Sequence, residues 1–156
     1  RWHQSGWPKA LVTVAETRRC RAMHYLTRRF RFSASHSLQS PALAEAEAEA
    51  CYGPCRNVHG HNYLLEVTVR GEPDPRTGFF ANVMDLKKLV DEQVADPCEH
   101  QYLNDLPLFA GAATTMENLA SRIWQELVGP LSERGMELYE ILVAETEDNI
   151  VRLRKD

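Results

Sequence analysis

The chain has no surplus of positive charge: 18 Lys and Arg stand against 22 Asp and Glu over 156 residues, for a formal net charge of -4. It therefore offers no basic field with which to hold a nucleic-acid backbone. It has no apolar run near the roughly 20 residues of a membrane-spanning helix, and residues 1–22 lack the continuous apolar centre of a secretory signal. Cysteine is scarce, with four, at positions 20, 51, 55 and 98, in a chain long enough to bury one ordinary core without covalent staples. Thiols used so sparingly suit a reducing compartment and reactive or ligating roles better than a disulfide framework. The expectation is a cytoplasmic protein that acts on something small, with no nucleic-acid or membrane partner. One domain is expected over residues 23–156. Residues 1–22 read as an extension ahead of a natural start at Met23, or as a weakly transit-like segment with five Arg or Lys against one Glu.

Against these absences stands one dense stretch, Cys55 to Tyr63, CRNVHGHNY. It runs directly into an alternating segment, and if that strand begins at or before His59, then His59 and His61 point to one face together with Tyr63 and Leu65. Two imidazoles on one face grip one metal ion. A third candidate ends another alternating segment, Tyr25 to His36, in which Leu26, Phe30, Phe32, Ala34 and His36 share a face and Arg28 is the misfit. Taken alone, a histidine there is more often a satisfied core residue than a ligand, and it is the HGH pair downstream that raises His36 above that.

The remaining elements follow from periodicity and turn chemistry. PALAEAEAEA has helix propensity but no apolar stripe, so an exposed loop or loose helical turn is expected there. Leu65, Val67 and Val69 carry a strand that stops at Gly71, and EPDPRTG with Phe79–Asn82 reads as a hairpin turn and its returning strand. A helix is expected from Asp85, with Leu86, Leu89, Val90 and Val94 as its buried side and Pro97 as its end. The polar loop CEHQYLNDLPLFAGA follows. Thr114 or Thr115 can cap a second helix with Leu119, Ile123, Trp124 and Leu127 inward, ended by Gly129 and Pro130. Strands over residues 138–145 and 149–154 close the chain. The order strand, strand, helix, helix, strand, strand, with hairpin-length connections at both ends, predicts an α+β fold, a four-stranded antiparallel sheet with two helices on one face.

Two metal sites are open on these residues. His36, His59 and His61 would hold zinc by three neutral imidazoles and leave a fourth position for water or substrate, whereas Cys51, Cys55, His59 and His61 would close a purely structural site. Cys55 is either a reactive thiol beside a cation or an inert buried one. His100 with Glu99 offers a proton carrier, and Glu145 is either a carboxylate facing a pocket or the first solvated residue of a turn.

FSASHSL, CRNVHGHNY, EPDPRTGFFANVMDLKKLV, EHQYLND, TTMENLA with Trp124, and ETEDNIV occur in an order that resembles the 6-pyruvoyl-tetrahydropterin synthase and 6-carboxytetrahydropterin synthase family, over about Met23 to Arg154. The resemblance implies a tunnelling fold whose sheets join into a barrel, a homohexamer built as a dimer of trimers, and active sites between subunits. It implies His36, His59 and His61 as zinc ligands, Cys55 and His100 as catalytic residues with Glu99 steadying the histidine, and Glu145, Thr115 and Glu117 as pterin contacts. Glu99 stands where the family usually has Asp, and Met116 where relatives often carry a small or hydroxyl residue. The implied reaction consumes 7,8-dihydroneopterin triphosphate and releases triphosphate. Cys55 lies four residues before the first histidine of HGH, as in the carboxytetrahydropterin branch. The expected product is therefore 6-carboxy-5,6,7,8-tetrahydropterin with loss of acetaldehyde, on the way to 7-deazaguanines such as queuosine. The alternatives are the 6-pyruvoyl product, a non-catalytic zinc protein of the same fold, and an aldolase acting on the unphosphorylated substrate.

Overall fold

The computed structural model describes residues 22–156, so the extension expected at the N-terminus lies, apart from Ala22, outside the described residues. The alternating segments form β1 (His24–His36) and β2 (His59–Gly71), paired antiparallel along their whole length, with His36 opposite His59 and Ala34 opposite His61. Together with β3 (Glu137–Ala144) and β4 (Ile150–Arg154) they make one antiparallel sheet in the order β1-β2-β3-β4.

One face of this sheet is apolar because every second residue is. Phe30, Phe32, Tyr63, Leu65, Val67, Ile141 and Val143 are buried there. Over them lie α2 (Val83–Val90), contributing Leu86, Leu89 and Val90, and α4 (Met116–Glu133), contributing Leu119, Ile123, Leu127 and Leu131. Full burial of each such side chain stabilises the fold by about 1.5–3 kcal/mol relative to exposure. The opposite face is polar and knitted by cross-strand pairs: Thr27 with Thr68 at 2.7 Å, Arg29 with Glu66 at 2.6 Å, and Ser33 with Asn62 at 2.7 Å. Among the described residues no helix is long and apolar enough to cross a membrane.

The α+β expectation holds, with four local corrections. Phe79–Asn82 is not a strand, because both edges of β2 are already taken by β1 and β3. That segment folds back on itself instead, through Asp74 N–H to the Phe79 carbonyl at 2.8 Å, and Asn82 caps α2 by accepting from Met84 N–H. The helix begins at Val83 rather than Asp85. The helical run continues through a π turn (Asp91–Ala95) into α3 (Asp96–Cys98), and stops one residue past Pro97, close to the expected end. By contrast, α4 runs through Gly129 and Pro130 to Glu133. Finally, the connection from β1 to β2 is not of hairpin length: it contains α1 (Glu45–Tyr52) and a 3₁₀ turn (Gly53–Arg56), so the Ala and Glu repeat is a helix.

Candidate metal centre

Strand pairing gathers the histidines. His59 and His61 are two apart on β2, hence on one face, and the register sets His36 directly across from His59. Ring centroids are 4.5 Å apart for His36 and His59, 5.2 Å for His36 and His61, and 5.1 Å for His59 and His61. One nitrogen from each ring can be chosen so that all three lie within 4.8 Å of one another. A glycine between the two β2 histidines suits this pairing, since a Cβ at position 60 would sit a tight 3.1 Å from the Ala34 carbonyl oxygen.

Which nitrogens converge follows from the hydrogen bonds. His36 Nδ1–H donates to the Thr114 carbonyl at 2.9 Å and His59 Nδ1–H to the Asn57 carbonyl at 2.8 Å, which leaves Nε2 of each as the free lone pair. Nε2 of His36 and Nε2 of His61 are buried without a hydrogen-bond partner. Buried, unpartnered imidazole nitrogens facing one another are costly unless they share a cation, and three such donors fit zinc with one coordination position left open. Burial lowers the His36 pKa below the ordinary histidine value. The Thr114 hydrogen bond opposes this, while His59 and His61 reinforce it. The ring is thereby held in the neutral form that a metal requires.

Among the described residues the metal-competent group contains neither Cys51 nor Cys55; both are free and exposed. The closed structural site is therefore not assembled. Glu145 is half-buried at the end of β3 with Oε2 3.8 Å from His61 Nε2, so it faces the trio and is not the first solvated residue of a turn. Thr115 uses its hydroxyl to cap α4 by accepting from Asn118 N–H, and Glu117 is exposed in the first turn.

His100 and Glu99 form a unit of their own at the rim. One Glu99 oxygen accepts the Ser33 N–H at 2.9 Å and the other lies 3.1 Å from His100 Nε2. The added methylene relative to Asp lets the carboxylate reach the edge of β1 while still facing the imidazole. His100 adopts φ 57, a left-handed conformation that is strained for a non-glycine residue, and its N–H donates to the Ser33 carbonyl at 2.6 Å. A cavity of about 440 Å³ lies between this loop and the sheet, lined by Ser33, Ser35, His61, Asn62 and His100. Residues that sequence reasoning missed act here through their backbones. The Thr114 and Asn57 carbonyls orient two imidazoles, a role that side-chain identity does not signal.

An antiparallel sheet with helices on one face and three histidines converging from two paired strands defines a metal-competent α+β protein. The chain belongs to the 6-pyruvoyl tetrahydropterin synthase family, whose model matches residues 25–156. It is 45% identical over 144 residues to the human 6-pyruvoyl tetrahydrobiopterin synthase, covering 90% of this chain and 97% of the human one. It is 32% identical to a putative 6-carboxy-5,6,7,8-tetrahydropterin synthase of Archaeoglobus fulgidus, covering 80% of this chain and 90% of that one. The solved structure of Caenorhabditis elegans 6-pyruvoyl tetrahydropterin synthase superposes with a TM-score of 0.79 at 33% identity, covering 86% of this chain and 97% of that one. The protein is thus a member of a family of pterin synthases, and an enzyme.

Proposed function

We propose that the protein converts 7,8-dihydroneopterin triphosphate to 6-pyruvoyl-tetrahydropterin with release of triphosphate, in a zinc-dependent reaction. The observation that carries this over the carboxy product is the pattern of relatives, with the human pyruvoyl enzyme more similar along more of the chain than the archaeal carboxy-type protein. The spacing of Cys55 four residues before His59 favours the second reading, the carboxy product with loss of acetaldehyde.

His36, His59 and His61 would hold zinc through Nε2, and the ion would acidify protons on the substrate side chain by stabilising the negative charge that develops there. In this reading the Cys55 thiolate removes a side-chain proton and His100 carries the opposite transfer. Glu99 steadies the imidazolium from a carboxylate already anchored to β1. Glu145 accepts from the N–H edge of the pterin, and Thr115 and Glu117 line the pocket from a neighbouring copy of the chain in a hexamer. No net oxidant is needed. The hydroxyl carbon next to the ring becomes a ketone as the ring is reduced by two electrons, and the second ketone is balanced by elimination of triphosphate, whose carbon ends as the methyl group.

The test is product analysis by mass spectrometry after incubation with 7,8-dihydroneopterin triphosphate, with bound metal measured first. Pyruvoyl-tetrahydropterin without acetaldehyde, lost in Cys55→Ala, is the expected result. Stoichiometric acetaldehyde would transfer the assignment to the carboxy product, and turnover unchanged in Cys55→Ala would remove the cysteine from the mechanism.

A further inference from the structure

Burial does not explain α1. Of its eight residues only Ala48 is buried, and three are glutamates. Isolated helices shorter than about 12–15 residues are marginal in water, so something outside the helix holds this one. At its start Glu47 accepts the Ala44 N–H at 3.0 Å, and at its end the Gly53 N–H closes on the Glu49 carbonyl with φ 49. Beyond the helix, Arg56 reaches back to it. Its Nη1 donates to Glu49 at 2.6 Å and its Nη2 to Glu45 at 2.5 Å. Glu45 and Glu49 are four apart and so share a helix face, and one planar guanidinium serves both. The arginine side chain is 25% exposed while its two partners are 83% and 66% exposed, so the arginine is the better packed member of the cluster.

Arg56 is the residue after Cys55. The Cys55 carbonyl accepts the Leu38 N–H at 2.8 Å, two residues past His36, and the Asn57 carbonyl holds His59. The backbone around Cys55 is therefore tied to Leu38, just past β1, and its Asn57 carbonyl orients the His59 ring, while Arg56 is where a side chain fastens the same stretch to α1. The Ala and Glu repeat supplies the two carboxylates that this fastening uses.

We propose that Arg56, clamped by Glu45 and Glu49, is a positioning residue that fixes the Cys55 thiol relative to the histidine trio. This rests on the reading of Cys55 as the reactive thiol. The clamp is ionic and its carboxylates face solvent, so it loosens as salt shortens the Debye length from about 8 Å at 0.15 M to about 3 Å at 1 M.

The test uses the metal-loaded full chain with Arg56→Ala, Arg56→Lys and the pair Glu45→Gln with Glu49→Gln. Arg56→Ala and the glutamine pair are each expected to lower kcat roughly tenfold, since misplacement of a reacting group by about 1 Å costs up to about 100-fold. KM and bound metal stay within about twofold. Arg56→Lys recovers part of the loss, because an ammonium lacks the fork that spans both carboxylates. Combining Arg56→Ala with the glutamine pair adds nothing to Arg56→Ala alone, and turnover of the wild type falls with salt where that of Arg56→Ala does not. Wild-type kcat in Arg56→Ala, or equal losses in kcat and metal content, would overturn the proposal. A second readout needs no turnover, namely the rate at which iodoacetamide labels Cys55, read by mass spectrometry, with buried Cys98 staying unlabelled as the control for folding. A changed Cys55 rate in Arg56→Ala supports the clamp even if the wild type proves inactive on the pterin, an outcome that would sink the proposed function alone. An unchanged rate removes the clamp even if the enzyme is active.

Discussion

At the scale of single residues, the histidine trio and the Glu99–His100 pair carry the strongest consequences. His36 and His61 each present a buried, unpartnered Nε2 to the same space. His36→Ala is therefore expected to lose bound metal as fully as His61→Ala, measured by elemental analysis of the purified proteins. Retention of a full equivalent in either variant would mean that the trio is not the site. Glu99 makes two contacts at once, with Ser33 N–H and with His100. Glu99→Asp is expected to keep only one of them and to lower kcat about tenfold or more, within the range by which a positioned acid or base contributes. Glu99→Gln retains the Ser33 contact but loses the charge facing the imidazole. A variant with aspartate as active as the wild type would show that the longer side chain does nothing here that the shorter one could not. His59 and His61 were legible in the sequence because alternation along a strand is a rigid rule, and His36 because it ends an alternating face. Thr114 was not legible as a partner of His36: the atom involved is a carbonyl oxygen that every residue type possesses.

At the scale of elements, apolar periodicity locates both long helices, and the first ends one residue past Pro97. Pro130 by contrast lies inside α4, so there packing against the sheet outweighs the local preference. The supposed strand at Phe79–Asn82 failed for a non-local reason, the prior occupation of β2 by β3, which comes from a segment some sixty residues further along the chain. Strand-to-strand ion pairs give the sheet a pH dependence. Glu137 on β3 receives Arg70 of β2 at 2.8 Å and Lys155, just past β4, at 2.9 Å. These partners, Arg70 first, pull its pKa down from 4.5 to about 2. A depressed carboxylate stabilises the fold fully above its unfolded value and loses that contribution as pH falls from about 4.5 towards 2. The group is substantially exposed, so solvent screening reduces the effect. Thermal melts of Glu137→Gln between pH 6 and 2 are expected to show a smaller acid-side loss than the wild type, and parallel curves would exclude the pairing as a source of acid sensitivity.

At the scale of the whole molecule, the sheet has two outer strands, β1 and β4, and a strand edge left bare invites another chain. Assembly of several copies is the expected use of these edges, as the resemblance implied. Arg31 lies on the exposed side of β1 opposite Leu64, and its residue parity turns its N–H away from β2 and towards the free edge. Arg31→Pro removes that donor while sparing the pairs within the sheet. Light scattering after gel filtration is expected to report a multiple of the monomer mass for the wild type and a smaller species for this variant; identical masses would place the contact elsewhere.

The edge of β1 is not bare throughout. Its last outward-facing groups are already engaged: Ser33 gives its N–H to Glu99 and its carbonyl to His100, and Ser35 gives its N–H to the Gln101 carbonyl. Among the described residues, the rungs from Tyr25 to Arg31 are the ones left open to a visiting strand, which would halt where the His100 loop begins. The loop that carries His100 would thus act as an end-stop for any copy docking on this edge, and a shift of His100 out of its left-handed twist is expected to alter how far such pairing could run.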